Sequence, residues 1–409
     1  MTAQSLLLSI VGKTSPLTKR ASAHLDMIRG AAALAVMFGH IRGLFFQDYK
    51  DVTGRSPMLA VLYAITGLGH QAVMVFFVLS GFLIGGSVLM GLKRWSWKRY
   101  LVNRFCRLYL VLIPALVVTA VLDYISYRQP GGHFYFDAPI AHFSREPLVA
   151  GRTLIAFLGN LAFLQHILVP VFGSNSPLWS LANEFWYYLL FPAALLVVYS
   201  PGNPKRRIAA LAIVAILVAF LPGGIVLQWI LGRPGGMLQA FLIWLMGVAV
   251  FVAPPVSVNR VTRRGLHLLT AGIFVGTLML SRVQRIPTDL TDPVIGLAFA
   301  LWLYCIVRIK TSPTEINFLY VWWAQLFSKC SYSLYAVHFP MVLLIRCSLG
   351  TSVWTPNLRN LTLGGGLSVV IFLFGYLFSR LTEAHNDTVR ARILTIGAKA
   401  PAAQVASVG

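Results

Sequence analysis

Three ionisable side chains fall near one face of the first apolar segment of this sequence, LDMIRGAAALAVMFGH: Asp26, Arg29 and His40. Arg29 and His40 are 11 residues apart, which in a helix places them about 20° from alignment and about 16 Å apart along the axis. Because ionisable groups are costly to bury in lipid, they suggest function. We predict that His40 is a general base and that Arg29 assists it. The alternatives are an interfacial anchor for Arg29 and a packed polar residue for His40.

A carboxylate lies near the start of a later apolar segment, WSLANEFWYYLLFPAALL. Glu184 falls about 6 Å inside the expected outer boundary, and His40 about 18 Å from the inner one. In a hydrocarbon core of about 30 Å, their levels differ by about 6 Å. Glu184 could therefore meet His40 directly or through a water, and we predict that Glu184 or another polar neighbour orients the imidazole during catalysis. The alternative is an interfacial Glu184 held by Trp179 and Trp186.

Other polar groups could line the same cavity. Ser80 has no neighbouring base in AVMVFFVLSGFLIGG, so close helix packing with Gly81 is favoured over a nucleophilic role. His338 precedes Pro340, and it could line the cavity or bind the carbonyls that the proline frees. The predicted cavity residues are Asp26, Ser80, Ser180, Tyr188 and His338.

The densest basic cluster is KRWSWKRYLVNRFCR, residues 93–107. Arg104 and Arg107 are three residues apart, so they share a helical face at the membrane boundary. Guanidinium groups grip phosphate bidentately, and this pair suits a phosphate-bearing ligand from the cytoplasm, with Arg29 as a third contact. The alternative is a topology signal that contacts lipid headgroups.

The composition indicates the elements that must position these groups. Charged residues make up 11% of the chain, against about 25% in ordinary globular proteins. Apolar types reach 57%, and the mean hydropathy is +0.73. Lipid must therefore solvate much of the surface, and we predict an all-α polytopic membrane protein with membrane lipids as partners. Ten candidate spans fall at 28–46, 72–92, 108–127, 180–199, 207–226, 236–253, 265–281, 293–309, 331–349 and 361–381.

The charges predict the sidedness of these spans. The net charge is +22, but the basic residues lie between apolar segments, as in membrane topology signals, so we expect no nucleic-acid partner. Ten spans with both termini cytoplasmic place most of the basic residues on the cytoplasmic side of the membrane. The stretch 154–171 is then interfacial or re-entrant. We expect a cytoplasmic arm at 1–27, a transmembrane domain at 28–381 and a cytoplasmic tail at 382–409.

The four cysteines show no pattern typical of a metal site. They form no CxxC pair and no Cys/His ligand spacing. We therefore predict no metal. The cysteines are Cys106, Cys305, Cys330 and Cys347.

Several of these segments together resemble one family, the acyltransferase-3 group of integral membrane acyltransferases. The matching pieces are 25–40, 76–84 (FFVLSGFLI), 104–107 (RFCR), 179–185 (WSLANEF) and 331–340 (SYSLYAVHFP). Glu383, after the last span, is a weaker match. Met74 and Leu110 depart from common patterns of the family, which affects the subfamily more than the reaction class.

The resemblance implies a ten-span enzyme of the cell membrane that takes an acyl group, usually acetyl, from cytoplasmic acyl-CoA. The acceptor would be a hydroxyl of a glycan, lipid-linked sugar or similar molecule. By position, Arg29 and His40 form the family's Arg-x10-His motif, with His40 as the base. Arg104 and Arg107 match its paired arginines, and Glu184 falls on its Trp-Ser-Leu…Glu segment. Direct transfer and an acyl-histidine intermediate both remain open.

A different class of protein also fits the bare pattern. A secondary transporter could use a buried histidine and carboxylate as a proton relay. Transporters often show repeated halves with broken helices at matching places, and no such repeat is evident here. An acyltransferase with an intracellular small-molecule acceptor is a third possibility.

Overall fold

The computed structural model describes residues 17–140, 143–144, 146–199, 204, 207–212, 214, 236–282, 286–309 and 316–396. These residues form helices and no sheet, which confirms the all-α prediction. Within them, seven helices are long and apolar enough to cross a membrane. They are Lys19–Phe45, Gly69–Arg94, Trp97–Tyr127, Ser176–Tyr199, Thr288–Arg308, Phe318–Ser348 and Leu358–Thr395.

The other three predicted spans are not among these seven helices. Residues 236–253 correspond to the helix Met237–Val252, whose 16 residues extend about 24 Å. Residues 265–281 correspond to the helix Arg260–Leu280, which has basic first turns. The predicted span 207–226 lies largely outside the described residues. The polytopic class is thus confirmed, whereas the total of ten and the cytoplasmic termini stay predictions.

We number the helices in chain order. They are α1 Lys19–Phe45, α2 Pro57–Thr66, α3 Gly69–Ser80, α4 Gly86–Gly91, α5 Trp97–Tyr127, α6 Gly132–Phe136, α7 Leu154–Leu161, α8 Trp179–Tyr199, α9 Met237–Val252, α10 Arg260–Leu280, α11 Thr288–Arg308, α12 Phe318–Ser348, α13 Leu358–Leu381 and α14 Asn386–Thr395.

Helix α1 begins nine residues before the predicted span. The side chain of Thr18 caps it by accepting a hydrogen bond from the Ala21 N–H at 3.1 Å. Ala21, Ala23 and Leu25 are buried, so the helix packs from its first turns. The part of the expected N-terminal arm from residue 19 onward is therefore helical and packed.

Helix α12 lies at the centre of the bundle, where α1, α5 and α13 pack against it. A Cβ at Gly30 of α1 would overlap the Cβ of Phe327, so a glycine is required for this close approach. At Gly375 of α13, a Cβ would crowd Leu334 in the same way. The small residues of α1 thus permit the close packing that the sequence predicts.

Helices α3 and α9 cross at a glycine contact. A Cβ at Gly81 would overlap the carbonyl oxygen of Trp244, and one at Gly247 would overlap that of Val78. Gly81–Gly85 forms a π-helical turn between α3 and α4, a feature often found at functional sites. The prediction that Gly81 serves close packing is confirmed.

The segment 154–171 does not cross the membrane as one helix. Its helix α7 has eight residues, or about 12 Å, and the chain then turns. Asn160, which is fully buried, donates hydrogen bonds to the carbonyls of Ala156 at 2.8 Å and Pro170 at 3.0 Å. This fold agrees with an interfacial or re-entrant piece.

Candidate active site

A row of polar side chains follows one side of α12. Ser328, Tyr332, Tyr335 and His338 are spaced three or four residues apart, so they lie one above another along the helix. The row extends about 15 Å from Ser328 to His338. Each of these residues contacts a different part of the site, so α12 connects all of its levels.

At the upper level, two histidines meet. His40 Nδ1 lies 2.7 Å from His338 Nε2, and the two rings meet edge to edge, with centroids 4.9 Å apart and planes at 19°. Phe143 and Phe339 present their edges to the His40 ring at 5.3 and 4.9 Å. His338 is buried, whereas His40 keeps some exposure. We call His40 and His338 the histidine pair.

The predicted direct contact between Glu184 and His40 is wrong. Glu184 Oε2 accepts a hydrogen bond from the Tyr188 hydroxyl at 2.8 Å, and the carboxylate interacts electrostatically with Arg107 and Arg29. In the described part of the chain, no hydrogen bond or ion pair joins Glu184 to His40. The neighbour of His40 is His338.

The starting depth of α8 explains this error. The residues just before it are buried: Ser174 donates to Asp123 Oδ1 at 2.5 Å, and Asn175 Nδ2 donates to the Ala336 carbonyl at 2.8 Å. Helix α8 therefore starts inside the bundle, near the level of Ala336 on α12. Ser180 Oγ contacts the Tyr335 hydroxyl at 2.7 Å, one turn below His338, and Glu184 is one turn deeper again.

The contact of Asn175 also bears on the prediction that His338 could bind a carbonyl freed by Pro340. Because a proline lacks an N–H, Pro340 leaves the carbonyl of Ala336 without its partner within the helix. Asn175 takes up that carbonyl. His338 does not bind that carbonyl: its Nδ1 contacts the carbonyls of Leu334 and Tyr335, and its Nε2 faces His40.

A chain of hydrogen bonds ends at Glu184. Trp244 Nε1 donates to Ser80 Oγ at 3.1 Å, and Ser80 Oγ lies 3.1 Å from the Tyr188 hydroxyl. Because the proton of Tyr188 goes to Glu184, the Ser80 hydroxyl donates to Tyr188. The chain therefore runs Trp244, Ser80, Tyr188, Glu184. It assigns Ser80 a structural role.

At the lower level, Asp26 and Arg29 of α1 meet α12. The Ser328 hydroxyl donates to Asp26 Oδ1 at 2.8 Å, and Arg29 Nη1 donates to Ser328 Oγ at 3.3 Å. Arg29 Nη1 lies 4.0 Å from Asp26 Oδ1, and the two side chains keep 23% and 30% exposure. Asp26 and Arg29 are thus together, as their spacing predicts, but on a level below His40.

The predicted paired arginines of α5 join this level. Arg107 is near enough to both Arg29 and Arg104 for the like charges to repel each other. Arg104 Nε is buried and has no hydrogen-bond partner among the described residues, whereas Arg107 is exposed. We call Arg29, Arg104 and Arg107 the arginine cluster. Its members come from α1 and α5, as the motif positions suggest.

Two residues of this site have little or no sequence signal. Glu383 accepts hydrogen bonds from the Ser333 N–H at 3.2 Å and the Ser333 hydroxyl at 3.0 Å, and it interacts electrostatically with Arg107 and Arg29. Only a weak motif match points to it. Trp244 lies in a uniformly apolar helix, so no pattern distinguishes it. The polar spacing along α12, by contrast, could have indicated the row.

The fold and site define a multi-pass protein of the cell membrane with a polar interior. Residues 22–380 match the family described as an acyltransferase domain, the acyltransferase-3 family. The chain belongs to this family, which confirms the resemblance. The transporter alternative receives no support from this match.

Three relatives show the range of the similarity. The acyltransferase MdmB of Streptomyces mycarofaciens is 30% identical over 48% of this chain and 46% of its own length. The putative peptidoglycan O-acetyltransferase YrhL of Bacillus subtilis is 26% identical over 68% of this chain and 44% of its own. The peptidoglycan O-acetyltransferase OatA of Listeria monocytogenes is 31% identical over 38% and 25%. The chain thus spans less than half the length of these relatives. No solved structure matches it.

Proposed function

We propose that this protein is an O-acyltransferase that moves an acetyl or other acyl group from cytoplasmic acyl-CoA to a hydroxyl of a glycan or lipid-linked sugar. The observation that carries the proposal is the arrangement on α1. A partly exposed histidine lies about 16 Å along that helix from an arginine cluster. Membership of the acyltransferase-3 family supports the reaction class, and the names of two relatives support a cell-envelope glycan as acceptor.

The arginine cluster is the proposed site for the phosphates of acyl-CoA. Guanidinium groups bind phosphate through charge-assisted hydrogen bonds that are stronger than neutral ones. Arg104 Nε is buried without a partner among the described residues, so an incoming phosphate would satisfy it. Arg107 is exposed, as a group that meets a soluble donor must be.

The thioester would then reach His40 along the polar row of α12. The pantetheine arm of CoA is narrow and extended, and its amides can exchange hydrogen bonds with hydroxyls such as that of Tyr332. Because Tyr332 and Glu184 keep partial exposure although they lie inside the bundle, this side of α12 suits a passage. The donor thus enters from the arginine cluster and reacts at the histidine pair.

His40 is the proposed general base. It takes the proton of the acceptor hydroxyl as that oxygen attacks the thioester carbonyl, and an ester C–O bond forms. The C–S bond then breaks, and the protonated imidazole gives its proton to the leaving thiolate of CoA. Positioned base catalysis of this kind contributes about 10²- to 10⁴-fold to a rate.

Glu184 takes a different role from the predicted one. It accepts a hydrogen bond from Tyr188 and attracts Arg29 and Arg107 electrostatically, so its proposed role is to balance part of the charge of the arginine cluster. Because His40 lies towards the outer end of α1, the acceptor would approach from the outer side. A hydroxyl of a cell-envelope glycan is accessible there.

The proposal is tested with the full chain purified in lipid nanodiscs. Radiolabelled acetyl-CoA is incubated with peptidoglycan fragments, and both released CoA thiol and labelled glycan are measured. We expect equal amounts of the two products, and their loss in His40→Ala. If sealed vesicles instead move a solute while the thioester stays intact, the acyltransferase proposal is wrong.

A further inference from the structure

The hydrogen bonds of His338 determine which of its ring nitrogens carries a proton. Nδ1 lies 3.0 Å from the carbonyl oxygen of Leu334 and 2.9 Å from that of Tyr335. A carbonyl oxygen can only accept a hydrogen bond, so Nδ1 must be the donor. His338 therefore carries a proton on Nδ1.

The second nitrogen of His338 is then an acceptor. A neutral imidazole has one N–H, and its other nitrogen carries a lone pair. His338 is 1% exposed, and within the described residues no carboxylate pairs with it. A second proton would leave an uncompensated charge in the interior, which is costly. Nε2 therefore accepts.

The tautomer of His338 determines that of His40, because a hydrogen bond joins the two rings. His338 Nε2 has no proton, so the proton between the two nitrogens, 2.7 Å apart, belongs to His40 Nδ1. Neutral His40 consequently keeps its lone pair on Nε2. No group in the described parts of the chain hydrogen-bonds that nitrogen.

We propose that His338 is a positioning residue that holds His40 as the Nδ1–H tautomer and leaves Nε2 free to react with the acceptor hydroxyl. When Nε2 takes that proton, Nδ1–H continues to donate to His338, which stabilises the imidazolium. His338 itself gains and loses no proton. This inference rests on the proposed function, because it names the reacting atom of that base.

The rest of the pocket agrees with this role. Phe143 and Phe339 contact His40 in edge-to-face geometry, and the His338 ring meets it edge to edge. These contacts restrict rotation of the ring about its side-chain bond. The hydrogen bond from Nδ1 then determines which nitrogen faces open space.

The kinetic test compares two variants of the full chain in nanodiscs. His338→Leu fills the space but removes the acceptor, whereas His338→Gln places an amide oxygen near the position of Nε2. We expect H338L to lower kcat about 10²-fold with the KM values for acetyl-CoA and acceptor within about twofold. H338Q should recover at least about tenfold of that loss. Equal losses in both variants, or an unchanged kcat in H338L, would overturn the inference.

A spectroscopic test requires no turnover. The protein is labelled with ¹⁵N-histidine, and the His40 signals are identified by their disappearance in His40→Gln. We expect a protonated Nδ1 and an unprotonated Nε2 for His40 in the wild type, and loss of this single tautomer in H338L. A protonated Nε2 in the neutral wild type contradicts the inference even if acetyl transfer is normal. Conversely, the expected tautomer without any acetyl transfer leaves the inference standing and removes the proposed function.

Discussion

The histidine pair and the arginine cluster are two polar regions on the same helix, α1, and they differ in their surroundings. Aromatic rings enclose His40, and its polar neighbour is another histidine. The arginine cluster, by contrast, interacts with carboxylates such as Glu184 and Glu383, and Arg29 keeps 23% exposure. The first region is lined by rings and has no carboxylate partner among the described residues, whereas the second contains charges of both signs.

The difference matches what two parts of one reaction require. A base must be neutral before it can accept a proton, and an apolar surrounding favours the neutral imidazole. A phosphate needs charged guanidinium groups, and arginine side chains are always charged. The row on α12 connects the two regions, so each can keep the surroundings that its own role requires.

The largest effect is expected at the histidine pair. His40→Ala should lower kcat by about 10²- to 10⁴-fold, because the base is removed, while the affinity for CoA stays unchanged. Turnover and CoA titration in nanodiscs measure the two quantities. His70→Ala is the control, since His70 pairs with Asp292 at 2.8 Å and, among the described residues, no hydrogen bond or ring contact joins it to His40. Near-normal turnover in H40A would remove the distinction between the regions.

The arginine cluster should show the opposite pattern. Arg104→Ala or Arg107→Ala should weaken CoA binding by about 10- to 100-fold, because each loses a charge-assisted hydrogen bond worth about 1.5–3 kcal/mol. The turnover of saturated enzyme should change less. Arg99→Ala, on the exposed side of the same helix, should bind CoA normally. Unchanged affinity in all three variants would leave these arginines as topology signals.

A packing change where α3 crosses α9 should affect stability. Gly81→Ala should lower the free energy of unfolding by about 1–3 kcal/mol, because the new methyl group would overlap the backbone of Trp244. Gly91→Ala is the matched variant, since a Cβ there has open space. Thermal unfolding in detergent compares the two. An equal midpoint would show that α3 and α9 can separate at little cost.

The smallest effect is expected for the hydrogen-bond chain that ends at Glu184. Tyr188→Phe should cost about 1 kcal/mol of stability and also weaken CoA binding by a few-fold, because Glu184 loses its donor. Tyr109→Phe removes a hydroxyl that donates to the Leu161 carbonyl at 2.9 Å. It should cost similar stability without changing CoA affinity. The same CoA affinity in both variants would disconnect the chain from the arginine cluster.

The sequence by itself determined the class of protein and the faces of single helices. Composition shows that lipid solvates the chain, and the 11-residue spacing places Arg29 and His40 along one side of α1. Both depend on local properties, namely side-chain polarity and the helical repeat, which do not change with the partner helix. The family motifs identified the arginine cluster for the same reason, because Arg104 and Arg107 share one helix.

Only the tertiary structure decided which helices meet and at what depth. His338 is 298 residues from His40, and no local pattern specifies that pairing. The position of Glu184 depends on the preceding segment, which packs Ser174 and Asn175 into the bundle and thereby sets where α8 begins. Helix depth and rotation follow from packing against neighbouring helices, so the partner of the proposed base could not be read from the spacing along one chain segment.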